Sequence, residues 1–342
     1  MEPLLVDALI ADTSDNPELD ATRLEAVGHD AVWVGETCHD GLLRATMVAR
    51  ATTTATVGTS VAVAFSRSPM TLAYAGHDLA RYAEGRFVLG LGSQVKPHIE
   101  RRFSMPWGTP AARMRELVAA VRAIWSSWQD GTPLSFEGDF YTHTLMTPFF
   151  SPPAHAWGGP PIFLAAVGDR MTEVAGEVCD GVFFHAFTTP DYLKHVTMPA
   201  ITRGRERAGR AGLDGFTVAG PAFATVGRDE DELAAAVRGT KAQLAFYAST
   251  PAYTAVLEHH GWAALQPELL ALSKQGRWDD MADVIDDEVL HTFSVVGSPE
   301  AVADGLRARW AGSVERITLY TPYDVAPGAL ADLQHALLVP RS

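Results

Sequence analysis

The feature that most constrains the fold of this sequence is a recurring phrase: an amphipathic helix pattern, a turn with glycine, and a short apolar run. The copies reach the glycine at Gly28, Gly85, Gly181 and Gly312, and their apolar runs begin at Ala31, Phe87, Val182 and Arg316. Glycine readily takes the left-handed conformation that closes a helix, and a continuous apolar run is typical of a strand buried on both faces. Alternating helices and strands predict a parallel α/β architecture.

Strand-like segments extend this pattern along the whole chain. They fall near residues 4–10, 31–35, 56–63, 86–92, 161–166, 181–185, 216–225 and 314–320. Eight such strands favour a closed TIM-type (β/α)₈ barrel over an open doubly wound sheet, and barrels of this length are commonly one domain. We therefore predict a single barrel domain over residues 1–342. Its helices include one over 111–128 and a last crossover helix that starts at Ser298-Pro299.

Two stretches do not fit the repeat and are predicted to be insertions. Residues 130–160 hold a hairpin-like phrase at Phe136–Tyr141 and then a loop rich in proline and glycine. Residues 248–290 are mostly helical in pattern and aromatic at their start. Insertions at the carboxyl ends of barrel strands usually form the substrate pocket or its lid. An unpacked linker is the alternative, although the aromatic content argues against it.

Composition excludes several classes of partner. The net charge of −14 argues against nucleic acid, since phosphate backbones attract surfaces rich in Lys and Arg. The cysteines, Cys38 and Cys179, are far apart, which argues against a disulfide scaffold and favours a reducing cytoplasm. Glycine, proline or charge interrupts every apolar run, so no membrane span is predicted, and the N-terminus has no signal-peptide pattern.

Three segments that directly follow predicted strands are candidates for ligand contacts. Gly90–Gln94 lacks the full G-x-G-x-x-G spacing of a dinucleotide fingerprint, so a tight strand end is its alternative explanation. Lys96–Arg102 is a basic cluster in an acidic chain and predicts either an anion site or a solvated turn. Ala165–Met171 joins a strand to a helix N-terminus, where free amides suit phosphate, although packing explains its small residues almost as well.

Other reactive residues form no recognised catalytic or metal motif. Cys38, His39 and Asp40 are adjacent, and adjacent side chains rarely converge on one point, so a catalytic triad is not predicted. The sequence has no H-E-x-x-H motif, and His259-His260 lacks metal-ligand spacing, so no metal is predicted. It also has no G-x-S-x-G elbow and no Walker loop.

Several of these segments resemble the bacterial luciferase-like superfamily, and within it the coenzyme F420 (deazaflavin)-dependent oxidoreductases. The resemblance is carried by Gly28–Glu36, Val57–Pro69, Gly85–Gly92, Ala165–Gly168 and Ala175–Gly181, and the stretch Gly92–Trp107 is similar to the F420 branch rather than the flavin mononucleotide (FMN) branch. It covers nearly the whole chain. It implies a TIM barrel, hydride transfer between deazaflavin C5 and a small organic substrate, and a homodimer.

The resemblance also implies the cofactor-binding residues. Similar enzymes have a non-proline cis peptide bond behind the deazaflavin ring, and it matches Ser60-Val61. The predicted cofactor-binding residues are Ser60, Val61, Ala62, Gly92, Ser93, Lys96, His98, Ala165, Ala166, Val167 and Gly168. We further infer that Lys96, Arg101 and Arg102 attract the anionic oligoglutamyl tail.

The acid or base of the reaction is not fixed by the resemblance. Related sugar-phosphate dehydrogenases have an Asp-His pair after strand two and a Glu after strand four, where this chain has Glu36-Thr37 and Val95. Their active-site residues therefore do not carry over, and glucose-6-phosphate chemistry is not expected. Glu36, His39 and His185 remain the candidate proton donors or acceptors.

Two alternatives to an F420-dependent oxidoreductase stay open. One is an FMN-dependent monooxygenase on the same barrel, and the other is a non-catalytic relative that only binds the cofactor. For the F420-dependent enzyme we expect an apolar pocket lined by aromatic side chains from the loops, although core packing alone is an alternative explanation for most of them. The candidates for this lining are Phe65, Trp107, Trp157, Phe187 and Tyr323.

Overall fold

The structure, a computed structural model, describes residues 4–338. Its strands are β1 (Leu5–Ile10), β2 (Ala31–Val34), β3 (Thr56–Thr59), β4 (Ala62–Val63), β5 (Phe87–Gly92), β6 (Phe136–Glu137), β7 (Thr142–His143), β8 (Ile162–Ala165), β9 (Gly181–Phe183), β10 (Thr217–Val226), β11 (Ser294–Gly297) and β12 (Arg316–Tyr320). All the described strands except the β6–β7 hairpin pair in parallel.

One or more helices separate most of these strands. They are α1 (Pro17–Val27), α2 (Gly41–Ala51), α3 (Pro69–Tyr82), α4 (Lys96–Arg101), α5 (Pro110–Asp130), α6 (Asp169–Val178), α7 (Pro190–Tyr192), α8 (Met198–Arg207), α9 (Glu230–Ala248), α10 (Thr254–His259), α11 (Leu265–Lys274), α12 (Trp278–Val284), α13 (Asp287–Phe293), α14 (Pro299–Trp310) and α15 (Pro327–Leu338). A π-helical turn, Leu193–Thr197, connects α7 to α8. Within residues 4–338, no helix is both long and apolar enough to cross a membrane.

The chain divides into two compact units. The larger contains residues 7–183 and 200–217, and the smaller contains the described residues 4–6, 184–199 and 218–338. In the larger unit the pairing order is β1, β2, β3, β5, β8 and β9, and β4 also pairs with β5. In the smaller unit β10 pairs with both β11 and β12. The prediction that one domain spans the chain stays a prediction.

Strands β2 and β5 of the larger unit are buried on both faces, as the continuous apolar runs predicted. Every residue of β2 and of β5 is buried. Trp33 of β2 packs against Phe163 and Phe183, and its indole N–H donates a 2.9 Å hydrogen bond to the buried Asp7 carboxylate. On the neighbouring β3, a Cβ at Gly58 would lie only 2.5 Å from the Trp33 ring. The large indole therefore occupies the space that this glycine leaves free.

The glycines of the recurring phrase do not all have the predicted role. Gly28 caps α1 in the left-handed conformation with φ of 106°, as expected. Gly85 and Gly312 also have positive φ and follow the ends of α3 and α14. The prediction was wrong at Gly181, which lies inside β9 without a positive φ. A Cβ there would lie 2.7 Å from the Phe163 ring, so this glycine serves close packing rather than helix termination.

The element boundaries confirm most predicted segments, divide one of them and add one strand. The segment predicted over 56–63 is divided into β3 and β4, with a cis peptide bond at Ser60-Val61 between them, as the resemblance implied. Strand β11 was not predicted, because its four residues directly follow the inserted helices and precede α14. The predicted helix over 111–128 is α5, and the Ser298 hydroxyl caps α14 by accepting from the Ala301 N–H.

Both insertions are packed parts of their units. In the first, the Glu116 carboxylate accepts hydrogen bonds of 2.6–2.9 Å from the backbone N–H groups of Asp139, Phe140 and Tyr141, which fixes the tip of the β6–β7 hairpin. The second contributes residues to a continuous hydrophobic cluster of the smaller unit. Its buried members from the insertion are Ala248, Val256, Leu257, Leu269, Met281, Ile285, Val289 and Leu290. The unpacked-linker alternative is therefore excluded for the second insertion.

A first prediction concerns Glu25, which ties α1 to the segment before β3. Its carboxylate accepts from the N–H groups of Thr53, Thr54 and Ala55 at 2.7–3.1 Å. Burial opposes the charge, but these hydrogen bonds outweigh it and lower the pKa of Glu25 to about 2. The stabilisation is thus complete above the ordinary pKa of a glutamate and is lost as the pH falls toward 2.

We expect Glu25→Gln to lower the free energy of unfolding by about 1–3 kcal/mol at neutral pH. Between about pH 5 and pH 3, the stability of the variant should fall less steeply than that of the native protein. Urea unfolding at a series of pH values measures both effects. The exposed Glu206→Gln is the matched control and should change stability by about 0.5 kcal/mol or less. Equal pH profiles for Glu25→Gln and the native protein would contradict this assignment.

Candidate cofactor site

Three predicted cofactor-binding residues converge where β4, β5 and β8 end. The pairing of β4 with β5 places Val63 opposite Gly92. A Cβ at Gly92 would lie 2.6 Å from Val61 Cγ2 and 3.8 Å from the Ala165 Cβ. Val61, Gly92 and Ala165 therefore form one wall of small and apolar groups at the carboxyl ends of parallel strands. Ligands of parallel α/β folds usually bind at this end of the strands.

The wall is supported by close contact between β3 and β5. The Thr59 hydroxyl donates to the Gly90 carbonyl at 2.7 Å and accepts from the Gly90 N–H at 3.0 Å. A Cβ at Gly90 would lie 1.7 Å from the Thr59 carbonyl oxygen, so only glycine fits. The glycines of Gly90–Gln94 therefore allow a tight strand end, which was the alternative to a nucleotide fingerprint.

An ion-pair network fixes the chain on the other side of β4. Both Glu36 carboxylate oxygens accept from the Arg67 guanidinium at 2.8 Å, and one of them also accepts from the Val63 N–H at 2.7 Å. The Glu36 side chain is only 5% exposed. Arg67 also pairs with Asp40 at 2.7 Å. Because both oxygens of Glu36 are engaged, this carboxylate holds β4 in place.

The charges of this network stabilise one another. Burial acts against the charge of Arg67, but hydrogen bonding and attraction to Glu36 and then Asp40 outweigh it and raise the pKa of Arg67. Burial likewise opposes the charge of Asp40. The N–H of Leu43 and the positive charge of Arg67 outweigh it and lower the pKa of Asp40. Both groups are therefore charged at neutral pH, as an ion pair requires.

His39 lies beside this network and remains a candidate donor or acceptor. It is exposed and lines a cavity of about 360 Å³. The other lining residues are Glu36, Cys38, Asp40, Ser66, Arg67, Arg102 and Phe103. Arg102 donates to the Thr37 carbonyl and stacks over the Phe103 ring at 4.8 Å. Arg102 is thus engaged with the loop after β2 rather than extended toward a ligand tail.

The remaining residues of the predicted basic cluster do not converge. Lys96, His98 and Arg101 are all exposed on the short helix α4. The nearest carboxylate to the Lys96 ammonium in this helix belongs to Glu100, at 3.8 Å. Ser93, just after β5, donates from its hydroxyl to the Gln94 carbonyl. This cluster has the geometry of a solvated turn, and its role in cofactor binding stays a prediction.

The segment after β8, which the sequence indicated as a possible phosphate contact at a helix N-terminus, leads to a larger cavity. Ala166 is buried, Val167 is 40% exposed, and Gly168 is the N-cap of α6, where an added Cβ would meet open space. The cavity measures about 840 Å³ and lies at the N-termini of α5 and α6. Its lining residues are Thr109, Pro110, Ala111, Ala112, Arg115, Gly168, Asp169, Arg170, Met171, Glu173 and Arg207.

This second cavity is suited to an anionic group. No side chain caps α5 at Thr109 or α6 at Gly168, so the first N–H groups of α6, and those that follow Pro110 in α5, have no side-chain cap. Its lining has three arginines against two carboxylates. Arg115 and Arg207 are paired with glutamates, at 2.8 and 2.7 Å, whereas Arg170 has no ion-pair partner among the described residues. Only the spatial approach of α5, α6 and α8 brings these arginines together.

His185, the third catalytic candidate, lies in the smaller unit just after β9. Its Nδ1 accepts from the Phe187 N–H at 3.0 Å, so the proton of the neutral ring is on Nε2 and is donated to the Tyr253 oxygen at 3.0 Å. The two rings stack at 4.5 Å. Burial lowers the pKa of His185 to about 4, and burial together with the neighbouring Tyr247 raises the pKa of Tyr253 to about 12. Tyr253 keeps its own proton free to donate elsewhere.

Sequence reasoning did not single out Tyr253, because only the aromatic content of the second insertion pointed to it.

Four of the five aromatic side chains predicted to line a pocket have other surroundings. Phe65 and Phe187 are fully buried, and the Tyr323 hydroxyl donates to the Ala224 carbonyl. Trp157 lies against Gly85, which precedes β5 and is at the opposite end of this strand from the wall. Phe65 and Phe187 therefore fill the core, which was the packing alternative, and for Trp157 and Tyr323 the lining of a pocket stays a prediction.

Comparison with known proteins gives the family. Residues 15–315 match the family described as luciferase-like monooxygenase, and the chain belongs to that family. An uncharacterized protein of Mycobacterium tuberculosis, Rv1360, is 51% identical over 297 residues, which is 87% of each chain. The 5,10-methylenetetrahydromethanopterin reductase of Archaeoglobus fulgidus is 27% identical over 305 residues, again 87% of each chain.

A solved structure identifies the fold. The coenzyme F420-dependent tetrahydromethanopterin reductase from Methanopyrus kandleri matches 99% of each chain with a TM-score of 0.77 at 21% identity. The predicted fold class, a TIM (β/α)₈ barrel, is confirmed by this match. The predicted resemblance to the luciferase-like superfamily and its F420-dependent members is confirmed as well.

A second prediction tests the role of Glu36 as a structural anchor. Glu36→Gln leaves the mostly buried Arg67 without its bidentate partner, and we expect the free energy of unfolding to fall by about 3 kcal/mol. Asp40→Asn is the matched control, because Asp40 pairs with the same arginine but is half exposed. It should cost about 1 kcal/mol or less. Denaturant unfolding measures both variants, and equal costs would argue against a buried anchor at Glu36.

Proposed function

We propose that this protein is a coenzyme F420-dependent oxidoreductase that transfers a hydride between the cofactor and a small organic substrate. The bound deazaflavin would accept or donate the hydride at C5. The observation that carries the proposal is the wall of Val61, Gly92 and Ala165, whose small groups leave room for a flat ring to approach the strand backbone. The named activity of the Methanopyrus kandleri structure supports the choice of F420.

The cavity at the N-termini of α5 and α6 supports the same cofactor. Coenzyme F420 carries a phosphate and an oligoglutamyl tail, both anionic. The N–H groups at the start of α6, which no side chain caps, and Arg170, which has no ion-pair partner within residues 4–338, would bind such groups by hydrogen bonds and attraction. We therefore assign the anionic part of the cofactor to Gly168 and Arg170. This assignment replaces the inference that Lys96, Arg101 and Arg102 attract the tail.

The protein's own acid–base group is proposed to be Tyr253, held by His185. Reduction of a substrate consumes one hydride and one proton. Neutral His185 donates its Nε2 proton to the Tyr253 oxygen and so orients the phenol, while the phenolic proton stays available for donation. Glu36 is not proposed as the acid or base, because both of its carboxylate oxygens accept hydrogen bonds from Arg67. His39 remains a secondary candidate on the exposed side.

FMN-dependent monooxygenase activity is the second candidate, and the description of the family favours it. The two activities differ in cofactor and in the need for oxygen, so cofactor binding separates them. We retain three further proposals from the sequence: a cytoplasmic location, a homodimer, and a small-molecule substrate rather than nucleic acid. The low cysteine content supports the first, and the net charge of −14 supports the exclusion of nucleic acid.

The third prediction tests the cofactor and the wall together. F420 should bind the purified protein with a change in its fluorescence, and FMN should bind much more weakly. In Gly92→Ala, the added methyl meets Val61 Cγ2, and F420 affinity should fall by roughly tenfold. The double variant Gly92→Ala/Val61→Ala restores the space and should recover most of the affinity.

Circular dichroism and thermal unfolding of each variant control for loss of the fold. Tight FMN binding together with weak F420 binding would contradict the choice of cofactor. If Gly92→Ala bound F420 normally, or if the double variant remained defective while folded, the cofactor would not lie against this wall.

The fourth prediction tests the proton donor. In Tyr253→Phe, substrate turnover followed by the deazaflavin absorbance should show a kcat lower by about 10²-fold, with F420 affinity unchanged. His185→Phe should have a similar effect, because the phenol loses its orienting partner. Tyr320→Phe is the matched control, since the Tyr320 hydroxyl bonds Tyr247 instead of His185. Full activity of Tyr253→Phe, or an equal loss in Tyr320→Phe, would overturn this assignment.

A further inference from the structure

Three side chains of the smaller unit form a cluster that neither the proposed activity nor the family explains. Asp191 Oδ2 lies 2.6 Å from His259 Nε2, and Asp191 Oδ1 lies 3.0 Å from His195 Nδ1. One nitrogen or oxygen from each of the three residues falls within 4.8 Å of the others. His259 is only 22% exposed at its side chain, whereas the other two are about half exposed.

The composition and geometry of this cluster suit a divalent transition-metal ion. Two imidazoles and one carboxylate are ligands typical of Zn²⁺ and of similar ions. Zn–N distances of about 2.1 Å place the ligand atoms of a tetrahedral site about 3.4 Å apart, which requires only small side-chain adjustments here. Asp191 and His195 are four residues apart in one helical segment, so both project to the same side. His195 Nδ1 also lies 3.1 Å from the backbone carbonyl oxygen of Asp191.

We propose that Asp191, His195 and His259 bind a Zn²⁺-class divalent ion. The neighbouring His260 is not part of the site, because its Nε2 is hydrogen-bonded to the Thr189 hydroxyl at 2.8 Å. The sequence prediction of no metal rested on the lack of an H-E-x-x-H motif and on the spacing of His259 and His260, and it did not consider ligands from distant segments. The partners proposed for His259 are of that kind. They come from a segment more than sixty residues earlier, which no local spacing reveals.

The ion would join two segments that also hold the His185–Tyr253 hydrogen bond. Asp191 and His195 belong to α7 and the following π-helical turn, six to ten residues after His185. His259 ends α10, which begins directly after Tyr253. π-Helical turns occur mostly as isolated turns and are often found at functional sites. Metal binding would therefore fix the end of α10 relative to α7 and restrict the movement of the segment that carries Tyr253.

The test uses the full-length protein after treatment with EDTA and removal of the chelator. Titration with Co²⁺, followed by its visible absorption, should give a single equivalent with the strong bands of low coordination number, and Zn²⁺ should displace it. His259→Gln and His195→Gln should each weaken Zn²⁺ binding, measured by calorimetry, by about tenfold or more. His259→Cys keeps a ligand atom and should retain Co²⁺ binding with a shifted spectrum.

His335→Gln is the matched control, since His335 is an exposed histidine on α15 and should not affect binding. Circular dichroism establishes that each variant is folded. Zn²⁺ should also raise the thermal midpoint of the native protein but not that of His259→Gln. If Co²⁺ and Zn²⁺ fail to bind, or bind equally to the folded His259→Gln and His195→Gln variants, the proposal is wrong. This test does not involve F420, so its outcome is independent of the proposed function.

Discussion

The close approach of β3 and β5 is the constraint on which the candidate cofactor site depends. The Thr59 carbonyl occupies the position that a side chain at Gly90 would need, and the Thr59 hydroxyl bonds both polar groups of the same glycine. The chain then leaves β3 and returns as β4, which pairs with the last residues of β5. Val61 is thereby placed beside Gly92. The wall therefore results from the packing of the backbone, and its apolar side chains contribute mainly the shape of its surface.

A polar network secures the opposite side of β4. A buried carboxylate is costly unless its charge is paired and its oxygens are hydrogen-bonded. Glu36 meets both conditions through Arg67 and the Val63 N–H. The residue that the sequence offered as an acid or base is therefore better explained as part of the framework. A proton donor or acceptor and a structural anchor can both be a glutamate. They differ in whether the carboxylate oxygens are already engaged in hydrogen bonds.

Much of the fold could be predicted from local sequence, because helix termination and strand burial leave local patterns. Gly28 and Ser298 are examples, since each has a cap geometry that its residue type favours. Gly181 was misassigned because a glycine that admits a neighbouring ring has the same sequence context as a helix cap.

The candidate site could be predicted only for residues that lie in one motif at the end of a strand. Gly92 and the cis bond at Ser60-Val61 were found through their motif. Tyr253 was not, because its partner His185 is distant in the chain, and for Arg170 the sequence indicated only the helix N-terminus and not the cavity around it. The cluster of Asp191, His195 and His259 could not be predicted for the same reason, because its members come from segments more than sixty residues apart.

The contact between Glu116 and the β6–β7 hairpin has a consequence for how this protein can diversify. All three hydrogen bonds go to backbone N–H groups, so they do not depend on which side chains the tip carries. Gly138 is the one position of the tip where the side chain matters, because a Cβ there would lie 2.4 Å from the Glu116 carboxylate. The tip can therefore exchange its side chains for new surface chemistry while a single carboxylate of α5 keeps the loop in place.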